Sequence, residues 1–189
     1  MAGVLTATTV KEVRVARGTS IAQTFWITSF ALLTAIGAQL EIPHQPVPYT
    51  FQTLVVLLAG AILGPRNGFL SMTMYVALGT IGLPVFSGGG FGLARILGPT
   101  GGYLLAFPIA AYAVGSFLSA RSSFPWILCS MSLGLLIIFS LGTAQLNLVY
   151  FHNWKSAFQA GFLIFSWWDV LKLLAATTIY HQLSTTLKK

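Results

Sequence analysis

The residues best placed to do chemistry are an acid and a base three positions apart, Asp169 and Lys172, set in the apolar run Phe165-Ser166-Trp167-Trp168-Asp169-Val170-Leu171-Lys172. The chain holds only three acidic residues, and Asp169 alone among them lies inside an apolar segment long enough to cross a bilayer; Glu12 and Glu41 fall near segment ends. An unsupported Asp or Lys at the centre of a spanning helix costs roughly 2.5–3.5 kcal/mol, so the pair requires a compensating role. Residues three apart share a helix face. The two can therefore neutralise each other and present an acceptor and a donor to one cavity. That arrangement has two readings, a buried structural ion pair or a polar ligand site.

Composition dictates what positions them. Of the residues, 56% are hydrophobic and 7% charged, with a mean hydropathy of +0.81, against a charged share near ~25% in soluble globular proteins. This is the composition of an integral membrane protein. The 189 residues accommodate about six spanning helices of ~20 residues with short connections, in a single membrane domain covering 1–189. The expected fold class is an all-α bundle of six transmembrane helices with both termini cytoplasmic. No GxxxxGK[ST] loop occurs, so ATP energy would have to come from a partner. The formal charge of +7 is spread over loops and ends, which fits membrane topology and not nucleic acid. Cys129, the single cysteine, stands in an apolar run and is expected to pack as a small residue. His44, His152 and His181 are too scattered to suggest a metal site, and no catalytic constellation accompanies Asp169.

Six segments are expected in order. A polar, basic stretch, 1–20, reads as a cytoplasmic tail without a cleavable signal. The first segment, about Ile21 to Leu40, carries Ala31 and Ala35, with Gly37 and Ala38 beyond. This small-residue face serves either internal packing or a partner helix. Three prolines in Glu41-Ile42-Pro43-His44-Gln45-Pro46-Val47-Pro48 exclude helix and predict a stiff, extended outer loop. The second segment, about Phe51 to Leu63, places Gln52 near its outer end, either partnered or at headgroup level. A compact turn is expected at Gly64-Pro65-Arg66-Asn67-Gly68, then a third segment to about Leu83 in which the Tyr75 hydroxyl needs an internal partner.

The outer stretch 84–101 is rich in glycine interleaved with Phe86, Phe91, Ile96 and Leu97. Non-helical backbone at membrane depth survives only where protein covers it or a cavity adjoins it, so this stretch is expected to form a mobile lid, the alternative being a passive linker. Helices are expected at about Gly102 to Leu118, Phe124 to Tyr150 and Ala157 to His181, with Trp154 as an interface anchor. Apart from Lys172, this threading places Lys11, Arg14, Arg17, Arg66, Arg121, Lys188 and Lys189 inside, and Arg95 and Lys155 outside. The asymmetry orients the bundle.

The runs Pro46-Val47-Pro48-Tyr49-Thr50-Phe51-Gln52, Leu58-Ala59-Gly60, Leu63-Gly64-Pro65, Leu78-Gly79, Gly82-Leu83-Pro84-Val85-Phe86 and Gly98-Pro99-Thr100-Gly101-Gly102-Tyr103, followed by Asp169 and Lys172, resemble the BioY family. These are biotin-specific substrate-binding (S) components of energy-coupling factor transporters. The resemblance covers most of the chain from about residue 20. It implies biotin capture on the outer face of the plasma membrane, without enzymatic activity or cofactor. It also implies docking on one transmembrane coupling subunit and two ATPases. One departure is Trp167-Trp168, where a Pro-Gly pair often precedes the acid.

The ligand's chemistry suits the residues. A ureido ring offers two N–H donors and a carbonyl acceptor, matched by Asp169 and Lys172; aromatic side chains cover the apolar body, and a cation or backbone N–H meets the carboxylate. The candidate contacts beyond the pair are the polar Gln52, Arg95 and Thr100, the aromatic Tyr75, Phe86, Phe91 and Tyr103, and Gly101. Ala31 and Ala35 are the candidate docking face. A self-sufficient biotin facilitator without ATPase partners is the alternative function.

Overall fold

The computed structural model describes residues 19–120, 123–163 and 167–186. The tail residues Lys11, Glu12, Arg14 and Arg17, together with Arg121, Lys188 and Lys189, lie outside them. Helix α1 (Ser20–Gln39) is about 30 Å long. Its buried residues, Phe30, Ala31, Thr34, Gly37 and Ala38, form one stripe, whereas Leu32, Leu33 and Ile36 are exposed, as a lipid-facing surface requires. Next comes a short hairpin, strands β1 (Glu41–Ile42) and β2 (Tyr49–Thr50), antiparallel, with Glu41 opposite Thr50. The prolines keep the tip out of regular structure, as their missing donors and fixed φ demand.

Helix α2 (Gln52–Thr80) is formally continuous but turns back on itself at Gly64, where φ is 78° and ψ 178°. The side chains of Gln52 and Tyr75 meet at 2.6 Å, whereas a straight helix would hold positions 23 apart about 35 Å from each other. The expected five-residue turn is thus a single glycine. Pro65 begins the second arm, a position where its missing N–H costs nothing. The arms are close enough that a Cβ on Gly68 would lie 3.0 Å from Gly60 Cα. The second arm ends at Thr80, short of Leu83.

Residues 81–100 hold a 3₁₀ turn at Ser87–Gly89 and a short helix α3 (Leu93–Leu97). Helix α4 (Gly101–Leu118) then packs most extensively on α2. A Cβ on Gly60 would overlap the Ala111 carbonyl, and one on Gly115 the Gly64–Pro65 link, so small residues set this approach. Helix α5 (Phe124–Leu146) gives way to a π turn at Asn147–Phe151, and His152 is left-handed at φ 51°. Asn153 caps the short helix α6 (Trp154–Ala157), its Oδ1 accepting from the backbone N–H groups of Lys155 and Ser156 at 2.9 and 3.3 Å. A second π turn, Phe158–Phe162, precedes α7 (Trp167–Thr186).

The last two expected segments are therefore interrupted, the fifth near its outer end and the sixth by a 49° bend between 154–162 and 167–186. Among the described residues, four helices are long and apolar enough to span a membrane, and the bent pair makes a fifth; counting the two arms of α2 separately gives six passages, matching the expected bundle. Cys129 departs from expectation: it is exposed on α5.

Candidate ligand site

On α7 the buried residues Asp169, Lys172, Leu173, Ala176, Thr177, Tyr180 and Ser184 keep helical spacing, so one inward stripe carries both charges. Asp169 is 2% exposed and Lys172 7%. Lys172 Nζ lies 2.6 Å from Asp169 Oδ1. It also donates to the Thr50 carbonyl at 3.0 Å and to Thr53 Oγ1 at 2.9 Å. An ammonium has three protons, and all three are engaged. Among the described residues no hydrogen bond reaches the other oxygen of Asp169. The pair thus leaves an acceptor free while its donor is saturated.

The charges line a largely apolar cavity of about 60 Å³ between the hairpin, the start of α2, α4, α5 and α7. Its walls include Pro48 and Tyr49 from the hairpin, Phe86 and Ser87, and Phe107, Ile138 and Phe139 from the bundle. Gln52 lines it as well, buried and partnered, which excludes a headgroup position. A relay holds it there: Thr50 Oγ1 donates to Gln52 Oε1 at 2.9 Å, Gln52 Nε2 donates to the Tyr75 hydroxyl at 2.6 Å, and that hydroxyl donates to the Val85 carbonyl at 3.1 Å. Tyr75 has its internal partner, but it stands behind Gln52 and does not line the cavity.

Of the other candidates, Phe86, Thr100 and Tyr103 line the cavity. The Tyr103 hydroxyl is spent on the Gly161 carbonyl at 2.9 Å, so this residue offers its ring. Besides Tyr75, three candidates do not line it. Phe91 is 58% exposed, because the turn at Gly92 carries it to the surface. Gly101 is packed against the Ile96 carbonyl and the Gln145 side chain, where its missing Cβ permits the contact, so its role is positional. Arg95 belongs to a wider vestibule of about 630 Å³ between the hairpin and residues 87–100, which shares Pro48, Ser87 and Thr100 with the inner cavity.

The expectation for the docking face also changes. Ala31 is 1% exposed and Ala35 packs on the same core; Thr34 and Ser71 tie this side of α1 to α2. The small residues serve internal packing here because close approach of α2 needs them.

Sequence reasoning missed Thr50, Thr53, Gln39 and Gln145. A buried lysine needs three acceptors, which would have prompted a search for hydroxyls and free carbonyls, though not at separations of 119 and 122 residues. Gln39 accepts from Gly89 N–H at 3.1 Å and donates to the Phe86 carbonyl at 3.0 Å. Gln145 donates to the Ile96 and Gly98 carbonyls at 2.6 and 3.0 Å, and Gly92 N–H reaches the Gly79 carbonyl at 2.7 Å. The glycine-rich stretch is hydrogen-bonded at three places, to Gln39, Gln145 and Gly79. Among the described residues no group of three potential metal ligands comes together.

Comparison with known proteins is consistent with this geometry. Residues 8–189 match the BioY family. The biotin transporter BioY of Thermotoga maritima is 41% identical over 154 residues, which are 82% of this chain and 90% of that protein. A probable biotin transporter BioY of Pyrococcus horikoshii is 42% identical over 154 residues, 82% of this chain and 91% of its own length. The crystal structure of an S-component for biotin from an ECF-type ABC transporter superposes with a TM-score of 0.82 at 26% identity, covering 89% of this chain and 94% of that one. By the extent of the match and the identity of these relatives, the chain belongs to the BioY family.

Proposed function

We propose that this protein takes up biotin across the plasma membrane as the substrate-binding subunit of an ECF-type transporter. The observation that carries the reading is the buried Asp169–Lys172 pair in the wall of a largely apolar, aromatic-lined cavity, with one carboxylate oxygen unengaged among the described residues. A ureido N–H donates to that oxygen. The ureido carbonyl takes a proton of Lys172 in place of Thr53 or Thr50, and Phe86, Tyr103 and Phe107 cover the bicyclic body. Polar contacts in so dry a site reject analogues that leave them unmet. The carboxylate tail leaves through the Pro48, Ser87 and Thr100 rim toward Arg95.

Binding requires the site to widen. The cavity of about 60 Å³ is far below the ~300 Å³ at the small end of ligand pockets. The hairpin is the wall that can yield. Tyr49 and Thr50 also line a second cleft of about 330 Å³, which leaves space beside them. Among the described residues, no hydrogen bond joins 43–48 to the rest of the protein outside the hairpin. Lys172 holds the hairpin base through Thr50, and the ligand competes for that proton.

Partnership with a transmembrane coupling subunit and two ATPases is inferred from the S-component likeness, and the protein acts by transport and not catalysis. Isothermal titration and native mass spectrometry of the purified protein test the capture step, with a bound mass equal to biotin expected. Absence of both a bound mass and binding heat rejects the reading. Uptake by this chain in cells lacking every ATPase module would favour a self-sufficient facilitator.

A further inference from the structure

The vestibule outside the cavity carries two charges of opposite sign that have no partner among the described residues. Glu41 and Arg95 both line it, and both rest against the same glycine turn: a Cβ on Gly88 would lie 3.2 Å from Glu41 Oε1, and one on Gly90 2.6 Å from Arg95 Nε. Among the described residues neither side chain makes a hydrogen bond or an ion pair, with each other or with any neighbour. The chain has three acids against ten Lys and Arg. Two of the three acids, Asp169 and Glu41, thus stand on this one passage.

Asp169 has its role in the ureido site. Free biotin gives Glu41 none, because a carboxylate tail seeking Arg95 meets a second carboxylate across the vestibule and is disfavoured by it. A ligand whose outer end carries both a cation and an anion removes the conflict. The ammonium faces Glu41 and the carboxylate faces Arg95. Joining the acid tail by an amide also removes its own charge at the rim.

We infer that the vestibule is a subsite for a zwitterionic amino-acid head, so that the protein accepts biotin amide-linked to the side-chain nitrogen of lysine as well as the free acid. The inference rests on the biotin reading above. The volumes allow it: the vestibule of about 630 Å³ is open where the inner cavity is tight, so an added head lies outside the ring site without enlarging it. The rim of Pro48, Ser87 and Thr100, common to both spaces, is where the amide would pass.

The test measures the affinities of biotin, Nε-biotinyl-lysine and uncharged biotin primary amide for the purified wild type, Glu41→Gln and Arg95→Gln, at low ionic strength. Wild type is expected to bind the lysine conjugate more tightly than the primary amide. Exposed ion pairs are worth a few-fold at most, so Glu41→Gln should weaken the conjugate about threefold, raise free-biotin affinity slightly and leave the primary amide unchanged. Arg95→Gln should weaken both carboxylate-bearing ligands. Retention of biotin affinity by Glu41→Gln serves as the folding control. Biotin binding with no detectable conjugate binding overturns the inference and leaves the uptake reading standing. Conjugate binding that matches the primary amide, or that Glu41→Gln does not shift relative to biotin, also overturns it, since the vestibule would then merely tolerate a substituent. Failure of biotin itself to bind sinks the underlying reading instead.

Discussion

The inner cavity and the vestibule share a rim yet handle charge in opposite ways. Inside, Asp169 and Lys172 are almost wholly removed from water, and the ammonium is saturated by the carboxylate, Thr50 and Thr53. Outside, Glu41 and Arg95 line an open vestibule and are unpaired among the described residues. A desolvated polar contact is costly to leave unmet, while a solvated one is nearly free to make or break. On the proposed function, the inner site therefore sets whether the ring binds at all. The outer one grades ligands by the charge on the tail.

The strongest challenge to that contrast is removal of an inner charge. Lys172→Ala leaves Asp169 buried without a counter-charge, a loss of about 3–5 kcal/mol in comparable pairs. It should lower the thermal midpoint in detergent and weaken biotin at least tenfold, about 1.4 kcal/mol. Asp169→Asn should cost binding by at least as much, with less effect on stability. Arg95→Ala, by contrast, should stay below tenfold. Titration calorimetry on the three variants decides, and an Arg95 effect larger than that of Lys172 would reverse the assignment of roles.

A smaller effect is expected from the wall. A Cβ on Gly79 would overlap the Phe86 ring, which is 1% exposed and lines the inner cavity. Gly79→Ala should cost about 1–3 kcal/mol of stability as overpacking and weaken ring binding with it. Arg95-dependent discrimination between ligands should survive. Thermal unfolding together with a biotin titration measures both halves.

Tyr75→Phe sharpens the relay behind the site. The change strands Gln52 Nε2 and the Val85 carbonyl, for about 1–3 kcal/mol in stability, and should loosen biotin a few-fold although Tyr75 does not face the cavity. Unchanged affinity would mean that Gln52 holds its place without the relay.

The finest effect separates the two outer segments. Hydrogen exchange with and without biotin should show the larger gain in protection at residues 43–50, because the hairpin wall must move, and little change at 86–98, which Gln39, Gly79 and Gln145 already hold. Gln39→Ala should raise exchange at Gly89 while leaving Gly92 protected. The opposite pattern under biotin would return the role of moving wall to the glycine segment.

The sequence by itself determined the membrane class, the six apolar passages and the pairing of Asp169 with Lys172 on one helix face, since each rests on local facts: too few charges for water, segment lengths set by a bilayer, and a charged pair at helical spacing. The Pro43 to Pro48 run could only be extended, because proline donates no hydrogen bond and fixes φ. The tertiary structure decided which candidates face the cavity. Tyr75 and Gln52 share a hydrogen bond, but the rotation of each arm of α2 turns only Gln52 inward. It placed Ala31 in the core with Ala35 partly buried beside it, and it decided that one glycine suffices to reverse the chain. It also supplied the Thr50 and Thr53 acceptors for Lys172, more than a hundred residues distant in sequence. Hydrophobic pattern reports how far a residue is from water; which neighbour it meets there depends on how helices rotate and cross, and that is fixed by packing across the whole bundle.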